Sequence, residues 1–125
     1  MSFVFQRVID TINRNFDFAP TAFGVVAGAA DNPAGQNEGA CRVLAFAKDM
    51  GLSAASTLAL FAEHYKNVLD NPDADSHQNI RLVMRHGIDA VWFDKMPLSR
   101  KATFDEKEVA ELIADAESFL NSLAN

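Results

Sequence analysis

The residues of this chain that could carry chemistry fall into three clusters. Gln36-Asn37-Glu38, with Cys41 close behind, lies in the stretch Asn32-Pro33-Ala34-Gly35-Gln36-Asn37-Glu38-Gly39-Ala40-Cys41. Glu63-His64-Tyr65 is the second cluster and His77-Gln78-Asn79-Ile80-Arg81 the third. Two amides and an acid in succession between glycines are unlike ordinary core sequence. One chemistry would be a cysteine nucleophile, with Cys41 as thiolate, His64 or His77 as base, and Asn37 or Glu38 orienting the imidazole. Against it, Cys41 falls about two turns into an apolar helix rather than at the N-terminus that would lower its pKa, so a small buried hydrophobe is the preferred reading. A metal site would need His64, His77 and Glu38 or Glu63 to meet in space. No H-x-x-x-H or H-E-x-x-H pair supports it, and Glu63 and His64, adjacent on a helix, would point about 100° apart. No metal and no cofactor are assigned. His77 and Arg81 stand four apart near a helix start, where N–H groups and a guanidinium can hold an anion. Asn79 and Arg81 would equally serve to satisfy loop carbonyls. His86, just before Gly87, complements the helix dipole.

The elements that must position these clusters follow from periodicity and punctuation. Val4, Phe5, Val8, Ile9 and Ile12 repeat at three and four, predicting a helix over 3–14. Pro20 stops any helix, and Thr21, Phe23 and Val25 alternate as a strand over 21–26. Asn32 before Pro33 predicts a capped helix over 33–49, closed by Gly51. Gly35 and Gly39 would share one face of it, each costing roughly 1 kcal/mol relative to alanine, so close approach of a backbone or ligand is expected to offset them. Glu38 and Arg42 would pair at i,i+4 on its outer side. Ser53 caps a helix over 54–69 with Leu58, Phe61, Tyr65 and Val68 inward. Asn71-Pro72-Asp73 breaks it, and a further helix runs 77–86 with Ile80, Val83 and Met84 inward. Residues 88–93 alternate as a strand, and 96–98 form a short return strand that Pro97 places at an edge. Thr103-Phe104-Asp105-Glu106 reads as a capping box before an amphipathic helix over 105–123. The fold class is α+β: a mainly helical single domain of four or five helices with a small two- or three-stranded antiparallel sheet.

Composition excludes several classes of function. The chain has 125 residues, enough for one domain with its own core. Its net charge of −6, with scattered basic residues, leaves no stripe for nucleic acid. No run approaches the roughly 20 apolar residues of a membrane span. The single Cys forbids an internal disulfide and suits a reducing compartment. The ten phenylalanines, beside one Trp and one Tyr, read as core filling. No P-loop, GxGxxG, CxxC or GxSxG motif is present.

Several strings, in order, resemble one family. Pro20-Thr21-Ala22-Phe23, Ala34-Gly35-Gln36-Asn37-Glu38-Gly39-Ala40-Cys41, Glu63-His64-Tyr65-Lys66-Asn67-Val68-Leu69, His77-Gln78-Asn79-Ile80-Arg81 and Gly87 are similar to the HopJ type III effector family, over about residues 5–101. The resemblance implies a small bacterial protein with a name more than a mechanism. The chain departs from the pattern in a longer loop over 24–31, in Ile88 where Trp is usual (a Trp follows four residues later), and in an added C-terminal helix. No flexible N-terminal segment of the kind type III secretion reads precedes a helix that starts by residue 3. A cytoplasmic protein is therefore expected, with secretion the alternative that the family name carries.

The reading is a non-catalytic binding domain. A small anionic or polar ligand would sit where the Gly35–Cys41 helix start meets the His77–Arg81 helix start, contacted by Gln36, Asn37, Glu38, His64, His77, Asn79 and Arg81. The alternatives are a small hydrolase or transferase using Glu38 or Cys41 with His64 or His77, and a host-directed protein with a protein partner.

Overall fold

A computed structural model describes residues 2–124. Its elements, in order, are α1 (Phe5–Asn15), β1 (Phe16–Phe18), β2 (Phe23–Val25), α2 (Glu38–Met50), α3 (Ala54–Ala59), α4 (Glu63–Asp70), α5 (Gln78–His86), a 3-10 turn (Ile88–Ala90), β3 (Val91–Phe93), β4 (Leu98–Arg100) and α6 (Glu106–Leu123). The class is the expected α+β, mainly helical. Among the described residues there are six α-helices and two separate two-stranded antiparallel ribbons, β1 with β4 and β2 with β3.

Two ribbons replace the single small sheet because Phe16-Asp17-Phe18 is itself a strand. Phe16 pairs with Arg100 and Phe18 with Leu98, so the expected return strand joins the start of the chain rather than its hairpin neighbour. The second ribbon sets Phe23 against Phe93 and Val25 against Val91. Trp92 stands opposite Gly24, where a Cβ would lie 2.9 Å from the indole Nε1. Only residues 91–93 of the predicted 88–93 strand are extended; the preceding residues form the 3-10 turn.

The predicted 54–69 helix is two helices. Ser53 caps the first as expected, its Oγ accepting from the Ser56 N–H at 3.1 Å. Leu58, Ala59, Leu60, Phe61 and Ala62 are then all buried. The chain breaks at the last of them, with Ala62 at φ 52°, ψ −123°. The break turns α4 so that Glu63 Oε1 accepts from the Phe5 N–H at 2.7 Å, capping α1 across the fold.

Helix α2 starts at Glu38, not Pro33. Asn32 cannot cap it, because its backbone is tied into a bridge with Phe23 by bonds of 2.8 and 3.0 Å. Gly35, at φ +91°, and Asn37, at φ 51°, turn the chain before the helix begins. Gly35 and Gly39 therefore do not share a helix face. Gly39 does meet the close approach its cost demanded: a Cβ there would lie 3.1 Å from the Phe5 ring. Arg42 does not pair with Glu38. Its Nε donates to Asn13 Oδ1 at 3.0 Å and its guanidinium lies 3.9 Å from the centre of the Phe18 ring.

The C-terminal helix is capped by Asp105 rather than by a Thr103–Glu106 box, with Asp105 Oδ1 accepting from the Lys107 and Glu108 N–H groups. Its Val109, Leu112 and Ala116 are fully buried against a core that includes Val8, Ile12 and Leu58. Met84, expected inward, is 43% exposed. No described helix is long and apolar enough to cross a membrane.

Candidate functional site

Asn32 is the residue that sets the site. It is buried and its side chain is fully bonded. Its Nδ2 donates to the carbonyls of Phe23 and Ala30, which only accept, so the amide orientation is fixed. The same group donates to Asn79 Oδ1 at 2.9 Å, while Asn32 Oδ1 accepts from Asn79 Nδ2 at 3.2 Å, a reciprocal amide pair. Asn32 Oδ1 also accepts from Asn37 Nδ2 at 2.7 Å. One side chain thereby locks the start of α2 to the start of α5.

Between those two helix starts lies a cavity of about 540 Å³, within the range of about 300–1,000 Å³ usual for small-molecule sites. Gln36, Asn37, His64, His77 and Asn79, all expected at the site, are on its wall. Glu38 and Arg81, expected there too, are not. Glu38 is half-buried one residue past Asn37, in the first turn of α2. Arg81 is buried, and its guanidinium is occupied by the carbonyls of Ser76, Pro72 (3.1 Å) and Asn71 (3.0 Å). It holds the 71–76 loop instead of facing a ligand. Sequence reasoning missed Asn32, Asp31, Gln78 and the apolar floor of Phe5 and Phe61, all of which line the same cavity.

Two imidazoles meet at this cavity. The ring centres of His64 and His77 are 5.1 Å apart, and the Phe5 and His64 rings meet edge to face with their centres 4.8 Å apart. Phe5 in turn stacks on Phe61. His77 precedes α5 in the left-handed region, at φ 54°, ψ 51°. Asn37 does the same before α2, at φ 51°, ψ 44°. Neither helix has a side-chain cap, so their first-turn N–H groups, on residues that include Gly39, Ala40, Asn79 and Ile80, border the cleft unsatisfied by a neighbour's side chain. The His77 imidazole is held below its ordinary pKa, by burial first and then by the charges of His64 and Arg81.

Cys41 lies away from this wall, 1% exposed in the core. Burial pushes its thiol from the usual 9.0 up to about 11. At neutral pH it is a protonated thiol in the core, off the wall that carries the histidines, which argues against it as a nucleophile. A thiol-exchange reagent at pH 8 is expected to leave Cys41 unmodified in the native chain and to modify it fully once guanidinium unfolds the domain. Rapid native labelling would show that the helix opens around it. Among the described residues, no group of three or more His, Cys, Asp or Glu side chains is placed to hold a metal.

Comparison with known proteins identifies the family. A solved crystal structure, titled as that of a protein of unknown function, VPA0580, superimposes with a TM-score of 0.75 at 34% sequence identity, over 79% of this chain and 82% of that one. No curated protein matches. The family model described as HopJ type III effector protein matches residues 1–98, a span that holds both helix starts, both histidines and both ribbons up to the first residue of β4. On that match, the chain belongs to the HopJ type III effector family.

Proposed function

We propose that this chain is a small-ligand-binding domain whose site is the cleft between the starts of α2 and α5. The observation that carries the reading is the convergence of Gln36, Asn37, His64, His77 and Asn79 on one cavity over an apolar floor of Phe5 and Phe61. The ligand is a small polar or anionic molecule. The open N–H groups of two helix starts suit a carboxylate, phosphate or carbonyl oxygen, and the amides and imidazoles supply directional hydrogen bonds. Binding is favoured over catalysis because the described wall offers neither Ser, Thr, Cys nor Lys. Its one carboxylate, Asp31, accepts from the Gly28 N–H through both oxygens. A protein partner has less support. Of the exposed large apolar residues, Leu69 and Met84 share one small cleft between α4 and α5, while Val4, Val26 and Met96 lie in separate segments outside the helices and strands. We place the protein in the cytoplasm, in keeping with its one free, buried thiol.

The test is a thermal-shift screen of metal-free protein against small carboxylates, phosphates and amides. A true ligand raises the midpoint of the wild-type chain. That rise should disappear in Asn37→Ala and survive in Arg81→Ala, although Arg81→Ala lowers the starting midpoint by freeing three carbonyls. A screen without hits, or hits indifferent to Asn37→Ala, would sink the reading.

A further inference from the structure

The cleft is built on hydrogen-bonding groups, yet Arg81, the one side chain of permanent positive charge expected there, is committed to the loop carbonyls. An anionic ligand would meet only neutral amides, helix ends, two imidazoles and the carboxylate of Asp31. Another source of charge fits the arrangement. Among the described residues, neither His64 nor His77 has a hydrogen-bond partner for its ring nitrogens; their contacts are those of ring with ring and of His64 with Phe5. Two imidazoles bound to one tetrahedral zinc, with Zn–N about 2.0–2.1 Å, hold their ring centres roughly 5.2 Å apart. The observed separation is 5.1 Å.

We propose that His64 and His77 together hold one divalent transition-metal ion of the zinc, cobalt or copper class, with the Asn37 side-chain oxygen and exogenous ligands completing the shell. The proposal rests on the reading of the cleft as a ligand site and names what the ligand binds to. Asn37 suits the third position. Its Nδ2 is drawn to Asn32 Oδ1, which leaves its Oδ1 without a donor among the described residues, on a residue of the cavity wall. No third His, Cys or carboxylate joins the pair among the described residues, so the ion keeps open coordination positions, as an exchangeable site does and a structural zinc does not. The positive ends of α2 and α5 oppose a bare cation and favour one that arrives with an anionic co-ligand. Imidazole ligands select the late first-row ions over magnesium or calcium.

The full chain, titrated with cobalt(II) chloride, is expected to develop visible ligand-field absorption that saturates at one ion per chain and is displaced by zinc. His86, outside the cleft at the end of α5, is the built-in control. His64→Gln and His77→Asn should each weaken cobalt binding at least tenfold, while His86→Gln leaves it unchanged. Asn is chosen at 77 because it tolerates the left-handed backbone there. In the wild-type chain, independently of any variant, cobalt should broaden the ring-proton resonances of His64 and His77 and spare those of His86. Absence of absorption at millimolar cobalt, loss of binding through His86→Gln, or unperturbed His64 and His77 resonances would overturn the proposal. Ligand hits in metal-free protein that depend on Asn37, without any cobalt binding, would overturn the ion and leave the ligand site standing. Cobalt binding with an empty metal-free screen would support the ion and remove the metal-free ligand.

Discussion

A chain ending at Ala102 is expected to show no cooperative thermal transition by circular dichroism. Helix α6 is part of the core, not an appendage. Val109 and Leu112 are fully buried, and burying such a side chain contributes about 1.5–3 kcal/mol. Ala116 is fully buried beside them, and Ile113 and Leu120 pack partly against the same core. Removing the helix also exposes the faces of α1 and α3 that it covers. The polar cost adds to this. Buried Asn15 donates to Glu108 Oε1 at 2.6 Å and accepts from the Asp105 N–H at 2.7 Å, so truncation leaves it half unsatisfied. Surface pairs such as Arg7–Asp115 add little. These losses approach the roughly 5–15 kcal/mol that holds a typical domain together. A fragment of residues 1–102 melting within a few degrees of the full chain would show that α6 is dispensable.

Asn32→Ala is the point substitution expected to do the most damage, about 2–4 kcal/mol by chemical denaturation, since each buried polar group left without a partner costs roughly 1–3 kcal/mol. It takes a side-chain donor from the Phe23 carbonyl, which keeps its bond from the Asn32 N–H, and strands both ends of the buried Asn79 amide. It also frees Asn37 from the bond that holds it at positive φ. Asn32→Asp should be no milder, because a carboxylate cannot donate to Phe23 O or Asn79 Oδ1 and its charge would be buried. Asn79→Ala alone should cost less. The double variant Asn32→Ala/Asn79→Ala should fall short of the sum, since the two remove one shared network. Strict additivity would mean that the amide pair contributes nothing as a pair.

Much of the helical framework could be read from the sequence because it rests on local signals. The stripe of Val8 and Ile12, the Ser53 cap, Gly51 and Gly87 at helix ends, and the inward face of α6 all follow from spacing within a few residues. What could not be read depends on partners far along the chain. Asn32-Pro33 has the form of a helix opening, and only pairing with Phe23 and Asn79 diverts it. Phe16-Asp17-Phe18 is too short to announce a strand without Leu98–Arg100 beside it. Nothing between Ala54 and Leu69 is a helix breaker, so no residue type announces the break at Ala62. At the site, the amides and histidines were legible as unusual strings, whereas the diversion of Arg81 into carbonyls of its own loop was not.

The pairing of β1 with β4, and of Asn15 with the start of α6 across 90 residues of sequence, has a consequence for how the chain is made. The first helix leaves the ribosome early and α2 can cover part of its inner face soon after, but the part that α6 covers waits for residues 106–123. Local helices can form during translation, while the pairing of β1 and the packing of α6 must wait for residues 98–123. Until those residues emerge, the part of the α1 stripe that α6 covers stays open.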